Sequence, residues 1–419
     1  MQSDLTGKRL IKWILIGVAA LWPVIALAGG LGFSPLLMVG GLLCSVIGVR
    51  TMKFRPYMVF ILFALEFMAA SARWSPRPIN LIDLDFATGS IAVRFEVLRV
   101  GLDLLWIAFL MNASKTLTPT HARLVVRVMS IGLLVQLIIV GLLTVFENEA
   151  LQLFSGLMSE ASEGVQNISR NGIIMALAAP LLIVGLSRTL SFSRALVVEI
   201  SVLSAVIVVL LARGVDGGIV SIAAGLVGVA IVRLFPRYGF RILGAAFAFV
   251  IAAAPLLFRV VSSGADISKA TTSAEWRMAI WSRVLEMIDK DPVFGQGLGV
   301  LRTVRETIPD GAFQGQILIP NHSHNMVLQL WVEAGGIGAA LVAIAILLAG
   351  FRMPQPRAMG VVGFLAAALA AQFMAIALVS FELWNDWWWS CAGLVATMIV
   401  VMARAEVIDD PSRLLASPE

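Results

Sequence analysis

Two histidines stand two residues apart in the run Pro320-Asn321-His322-Ser323-His324-Asn325, just ahead of a long apolar stretch. Asn325, Gln329 and Glu333 then recur at helical spacing, so a polar stripe descends from His324 into that stretch. Ionisable groups inside an apolar medium are costly and usually line a cavity or a site. Imidazole titrates near neutral pH, which suits it to proton transfer. The plain alternative is a polar pair at a boundary. The third histidine, His121, reads as a solvated surface residue.

Two arginines could hold an anion. Over 273–289, a helical wheel collects Trp276, Ile280, Trp281, Val284, Leu285 and Ile288 on one apolar arc, with Glu275, Ser282, Arg283, Glu286 and Asp289 opposite. Arg277 falls near the middle of the apolar arc, where a guanidinium needs either an anionic ligand or a structural carboxylate. Such a helix would lie on a membrane surface or cap a bundle. Arg213 sits in the short turn Leu211-Ala212-Arg213-Gly214-Val215-Asp216-Gly217-Gly218, where glycine lets a ligand approach the backbone. Its five donors match phosphate oxygens in a fixed fork; a local pair with Asp216 is the alternative. One imidazole and two guanidiniums suit a reaction on a lipid-linked phosphate or diphosphate. The arginines would hold the leaving charge and the histidine the acceptor's proton.

The elements that must position these residues are membrane helices. Hydrophobic residues make up 59% of the chain and charged ones only 14%, against roughly 45–50% and 25% in soluble domains. Apolar blocks fall near 11–29, 31–49, 56–72, 95–112, 125–146, 171–187, 193–212, 216–234, 239–258, 324–350, 358–380 and 386–403, each close to the length that crosses ~30 Å of hydrocarbon. About twelve transmembrane helices in an all-α polytopic protein are expected. Within the fourth block Arg99 and Asp103 are one turn apart and able to pair. Lys8, Arg9 and Lys12 followed by Ala26-Leu27-Ala28 have the outline of a signal peptide, but the stretch is long and another span follows at once. Cys44 and Cys391 both fall in spans, and nothing points to a disulfide, a metal site or a cofactor.

Lysine and arginine near span ends set orientation. They collect in alternate gaps: Lys8, Arg9 and Lys12; Arg50, Lys53 and Arg55; Lys115 and Arg123; Arg188 and Arg194; Arg233, Arg237 and Arg241; Arg352 and Arg357; Arg404. The other gaps are acidic, as at Glu147, Glu149, Glu160 and Glu163, or at Glu382 and Asp386. Both termini are then cytoplasmic and the candidate residues external. The organisation expected is spans one to nine over 1–258, a large external loop over 259–323, spans ten to twelve over 324–403 and a cytoplasmic tail over 404–419. The net charge of +5 belongs to the cytoplasmic cations, so no nucleic-acid partner is implied.

Weaker signals remain. Asp83-Leu84-Asp85 has the form of a metal-holding acid pair, a pattern common by chance. Gly295, Gly297 and Gly299 follow Asp289-Lys290-Asp291-Pro292 as a turn-rich stop that could cradle phosphate, without the strand–loop–helix context of a nucleotide site. Trp384, Trp387, Trp388 and Trp389 read as an interfacial aromatic belt or, alternatively, a sugar-stacking platform.

His324-Asn325, nine residues, then Gly335-Gly336-Ile337-Gly338 resembles the H-[NSQ]-x9-G-x-x-G signature of the O-antigen ligase and polymerase superfamily. The spacing fits His324 and not His322. The segment from Trp276-Arg277 to Pro292 is similar to the arginine-bearing helix of that family's large periplasmic loop, and Arg213 occupies the place of its other arginine. Here that residue follows Ala212 rather than the usual hydroxyl residue. The resemblance implies a GT-C-type, metal-independent, inverting transfer without a cofactor. Glycan would pass from undecaprenyl diphosphate to a sugar hydroxyl in the periplasmic leaflet of a bacterial inner membrane. His324 would be the base or acceptor-orienting group and Arg213 and Arg277 the diphosphate ligands, with His322, Asn325, Gln329 and Glu333 in support. Ligation of O-antigen to lipid A–core is the leading expectation. Polymerisation of O-antigen or exopolysaccharide onto a growing glycan is the alternative, and a lipid-glycan flippase is a third reading.

Overall fold

The computed structural model describes residues 2–77, 83–85, 90–92, 96–146, 161–188 and 190–406. The acidic residues Glu147, Glu149 and Glu160, the Glu163 side chain, the side chains of Asp83 and Asp85, and the tail beyond Glu406 lie outside the described residues. The chain is a multi-pass helical membrane protein. Its helices are α1 (Gln2–Leu27), α2 (Phe33–Thr51), α3 (Pro56–Ser71), α4 (Glu96–Ser114), α5 (Pro119–Val145), α6 (Ala161–Ser187), α7 (Phe192–Ala212), α8 (Asp216–Leu234) and α9 (Gly239–Val261). After them come α10 (Ser273–Lys290), α11 (Met326–Arg352), the short α12 (Pro356–Met359), α13 (Val361–Val379) and α14 (Asp386–Ala405). Helix is the form these apolar runs must take, because lipid offers no partner to an open backbone group. A two-strand ribbon, Asp83–Asp85 antiparallel to Ser90–Ala92, and an isolated antiparallel bridge between Thr307 and Ile317 are small departures from an all-helical chain.

Eleven of these helices are long and apolar enough to cross a membrane, one fewer than expected. The exception is α3, whose 16 residues reach only about 24 Å. It nevertheless joins the two ends of the bundle. It starts beyond Lys53 and Arg55, which lie within electrostatic reach of Lys115. Past its far end, Trp74 Nε1 donates to the Gly295 carbonyl at 3.1 Å and Ser75 Oγ to that of Leu298 at 2.6 Å.

The same contacts sort the charges. At one end Arg123 Nε donates to the Ala405 carbonyl, Arg404 to that of Leu117, and Arg188 pairs with Glu406. At the other end are the acidic caps and turns: Glu96 opening α4, Asp216 opening α8, Glu382 between α13 and α14, and Asp386 opening α14. Arg99 does not pair with Asp103. It lies 3.6 Å from Asp386, and Asp103 instead accepts from Ser34 Oγ at 3.2 Å. α14 packs against both α4 and α2, so tertiary partners displace the local i, i+4 pair.

Two large apolar cores divide the bundle, with a small third one around Val232, Phe240, Leu243 and Ala367. One gathers α1, α5, α6 and the inner face of α14; the other gathers α3, α9, α10 and the first half of α11. α11 is broken at Gly335, where φ is 59° and ψ −164°. The segment 292–297 enters the break. Gln296 and Gly297 N–H donate to the Val332 and Glu333 carbonyls, and Gly336 and Ile337 N–H donate to those of Pro292 and Val293. A Cβ on Gly335 would sit 2.3 Å from the Val293 oxygen, and one on Gly295 2.6 Å from the Ala334 nitrogen. The glycine-rich turn is therefore a backbone clasp on α11. It is not a phosphate cradle, because its amides at 296 and 297 already serve helix carbonyls.

Candidate functional site

The site is assembled where the loop before α11 meets three helix ends. Asn325 caps α11, its Oδ1 accepting from the N–H of Val327 at 3.0 Å and of Leu328 at 2.9 Å. Ser323 Oγ donates to the Asn325 carbonyl at 2.7 Å. Between these two anchored residues His324 takes φ 53°, a left-handed conformation that histidine tolerates better than most residues. Its N–H donates to His322 Nδ1 at 3.1 Å, and the two rings lie 4.2 Å apart.

His324 Nδ1 lies 3.1 Å from the Ser380 carbonyl at the end of α13. A carbonyl only accepts, so Nδ1 carries the proton and Nε2 keeps its lone pair. His322 Nδ1, accepting from an N–H, places its own proton on Nε2. Both imidazoles are held well below their ordinary range, each to about 4. Burial is the main cause for both. Arg302 and then Arg277 add to it at His322. At His324 the neighbouring His322 and Arg277 add to it, against partial opposition from Ser380 and Glu382. These shifts favour the neutral form of both rings near neutral pH, which leaves His324 Nε2 able to accept a proton, though only weakly.

α10 brings Arg277 to this pair. A capping box starts the helix: Thr272 Oγ1 accepts from Glu275 N–H at 3.3 Å, and Glu275 Oε2 accepts from Thr272 N–H at 2.9 Å. The Thr271 and Thr272 N–H groups, with both threonine hydroxyls, donate to Glu275 Oε2 and hold its carboxyl below its usual range. Ile280, Trp281, Val284, Leu285 and Ile288 are buried as the wheel predicted, joined by Ala279 and Met287. Trp281 Nε1 donates to the Ser323 carbonyl at 3.0 Å and Trp276 Nε1 to that of Leu318 at 3.0 Å, tying the helix to the histidine loop. Arg283, on the other face, pairs with Glu286 and Glu306. Arg277 is half-buried, and its Nε is buried without a hydrogen-bond partner. Burial lowers its pKa and Asp216 offsets this electrostatically; a guanidinium stays charged regardless. Among the described residues no carboxylate lies within 4.0 Å of it. Arg213, half-buried at the C-cap of α7, is three residues from Asp216, so the α7–α8 turn belongs to the same end of the bundle as Arg277.

The polar stripe below His324 is used inside the protein. Gln329 Nε2 donates to Glu333 Oε1 at 2.9 Å, Gln329 Oε1 accepts from Leu383 N–H at 2.9 Å, and Glu333 Oε2 accepts from Trp384 Nε1 at 2.7 Å. These bonds fasten the α13–α14 turn, which carries Ser380, to α11. Trp384, Trp387 and Trp388 are accordingly buried. They are neither a lipid-facing belt nor an open sugar platform: Phe381 and Phe373 pack on the latter two, and Trp389 Nε1 donates to the Leu383 carbonyl.

Sequence reasoning missed several members. Arg302 lies 3.2 Å from Glu382 and 3.4 Å from Glu96, and Glu96 also takes Arg77 at 2.7 Å. The acidic Glu382 was visible in the sequence, but nothing linked it to an arginine 80 residues away. The Ser380 carbonyl carried no side-chain signal.

The fold is that of a polytopic membrane protein, and at one end of its bundle a neutral histidine pair lies within electrostatic reach of Arg277. Residues 200–343 match the model of the family described as O-antigen ligase, and that segment contains Arg213, Arg277, His322, His324, Asn325, Gln329 and Glu333. This segment is thus similar to the O-antigen ligase family, in line with the motif resemblance. Similar curated proteins come from Rickettsia typhi (24% identical over 143 residues, 33% of this chain and 35% of that protein), Rickettsia conorii (25%, 33% and 34%) and Rickettsia prowazekii (26% over 144 residues, 33% and 35%). All three bear the provisional name of polysaccharide ligase. The match spans about a third of the length of each.

Proposed function

We propose that the protein is a glycosyltransferase that moves glycan from undecaprenyl diphosphate to a sugar hydroxyl of lipid A–core, acting as an O-antigen ligase in the periplasmic leaflet of the inner membrane. The observation that carries this reading is His324, with Nδ1–H on a backbone carbonyl, Nε2 unprotonated and the half-buried Arg277 among its charged neighbours. The acceptor hydroxyl gives its proton to Nε2 as its oxygen bonds to the anomeric carbon. The bond from that carbon to the diphosphate oxygen breaks on the opposite face, which inverts the centre. Arg277 and Arg213 hold the departing charge. Stabilising developing charge commonly lowers a barrier more than general-base catalysis does, so loss of either arginine should hurt as much as loss of the histidine. The transfer needs no metal. The basic ends of the spans favour a topology with both termini in the cytoplasm and the histidine end outside.

Transport is less well supported. Transporters place ion and substrate sites at broken helices near the midplane, whereas the break in α11 is filled by the segment 292–297. The test uses purified protein, undecaprenyl-diphosphate-linked glycan and EDTA, with lipid A–core present or omitted. Glycan on lipid A–core, lost in His324→Ala, supports the ligase. A ladder of longer undecaprenyl-linked glycans formed without lipid A–core makes the protein a polymerase. A fully active His324→Ala protein removes the site.

A further inference from the structure

His322 falls outside the H-[NSQ]-x9-G-x-x-G spacing, yet its Nδ1 accepts a hydrogen bond from the His324 backbone N–H. We propose that His322 is a positioning residue whose Nδ1, by accepting the His324 N–H, closes a turn that fixes the aim and tautomer of the His324 ring. This rests on the reading of His324 as the proton acceptor. A side-chain acceptor at one residue taking the N–H two residues on is the bond that asparagine and aspartate make in Asx turns. Imidazole Nδ1, bonded to the same carbon position as an asparagine Oδ1, does the same here at 3.1 Å.

The turn has a conformation to hold. A non-glycine residue at φ 53° is strained and persists only where its surroundings over-determine it. On the C-terminal side the Asn325 cap and Ser323 supply that constraint; on the N-terminal side His322 does. With both in place, His324 Nδ1 meets the Ser380 carbonyl and Nε2 is left for the acceptor. His322 must be unprotonated at Nδ1 to accept. Burial, Arg302 and Arg277 all favour its neutral form, and the adjoining His324 is neutral as well. The competing explanation is that His322 merely packs against the His324 ring.

Two substitutions separate these roles: His322→Phe keeps the ring and loses the acceptor, and His322→Asn keeps the acceptor and loses the ring. The full-length protein, ¹⁵N-labelled at histidine and purified in detergent, should show His324 protonated at Nδ1 in the wild type and in His322→Asn. His322→Phe and His322→Ala should show a mixture with the Nε2–H form. In the glycan-transfer assay, Phe and Ala should lower kcat roughly 10–100-fold with donor KM unchanged, while Asn stays within about threefold of wild type. The proposal is overturned if Phe keeps the wild-type tautomer and kcat, or if Asn is as impaired as Ala in both. Should the tautomer follow the expected pattern while no protein, wild type included, transfers glycan, the turn stands and the functional reading falls.

Discussion

A neutral imidazole with one nitrogen tied to a carbonyl has a distinctive pH behaviour. With His324 held to about 4, kcat/KM for glycan transfer should stay level through neutral pH and fall only as pH drops through that value, where Nε2 gains a proton. Replacing Arg277 by Ala removes a positive neighbour and should move this acid limb upward, whereas Arg277→Lys leaves it in place while weakening donor binding. A bound diphosphate neutralises the same positive charge, so the limb in kcat should lie at higher pH than the limb in kcat/KM. Equal limbs in kcat and kcat/KM would count against the arginine as the diphosphate ligand. His324→Asn, whose short polar side chain also tolerates positive φ, should fold normally and lose about 10²–10⁴-fold in kcat. A thermal melt of the same preparation checks the folding half of that statement.

At the scale of elements, the site depends on how α11 is broken and fastened. Gly335→Ala adds a Cβ 2.3 Å from the Val293 oxygen at a positive φ, so the segment 292–297 must leave the break. The expected result is a marked fall in the melting temperature of the detergent-purified protein and in the yield of folded material; an unchanged melt would mean that the clasp contributes nothing. Glu333→Leu leaves the Trp384 and Gln329 donors buried without their acceptor, at about 1–3 kcal/mol for each. It also loosens the turn that presents Ser380. Stability and kcat should fall together, and Glu333→Gln, which still offers one oxygen to Trp384, should recover part of both.

For the molecule as a whole the prediction concerns sidedness. Single cysteines in a background lacking Cys44 and Cys391 can be probed with a membrane-impermeant maleimide on spheroplasts. Thr271→Cys, exposed ahead of α10, should label in intact cells. Gln355→Cys, exposed between α11 and α12, should label only after permeabilisation. The reverse pattern would put the histidine end in the cytoplasm and remove the periplasmic reading. α3 is the deciding element, since a 16-residue helix that failed to cross would invert every element after it.

Hydropathy and the placing of arginine and lysine determined the helix inventory, because burying an apolar run in lipid and keeping cations at one end are properties of single segments. The motif spacing also singled out His324 over His322, and the wheel of α10 placed Arg277 on the buried arc. Tertiary structure decided what these residues touch. The Arg99 pairing went to Asp386 rather than to the nearby Asp103. The tryptophans went into the core, and Gln329 and Glu333 went to a turn some 50 residues away. The His324 tautomer was set by a backbone carbonyl, which every residue possesses and no side chain advertises. Its low basicity came from burial, from His322 beside it and from Arg277 on another segment, effects that exist only once the helices have packed.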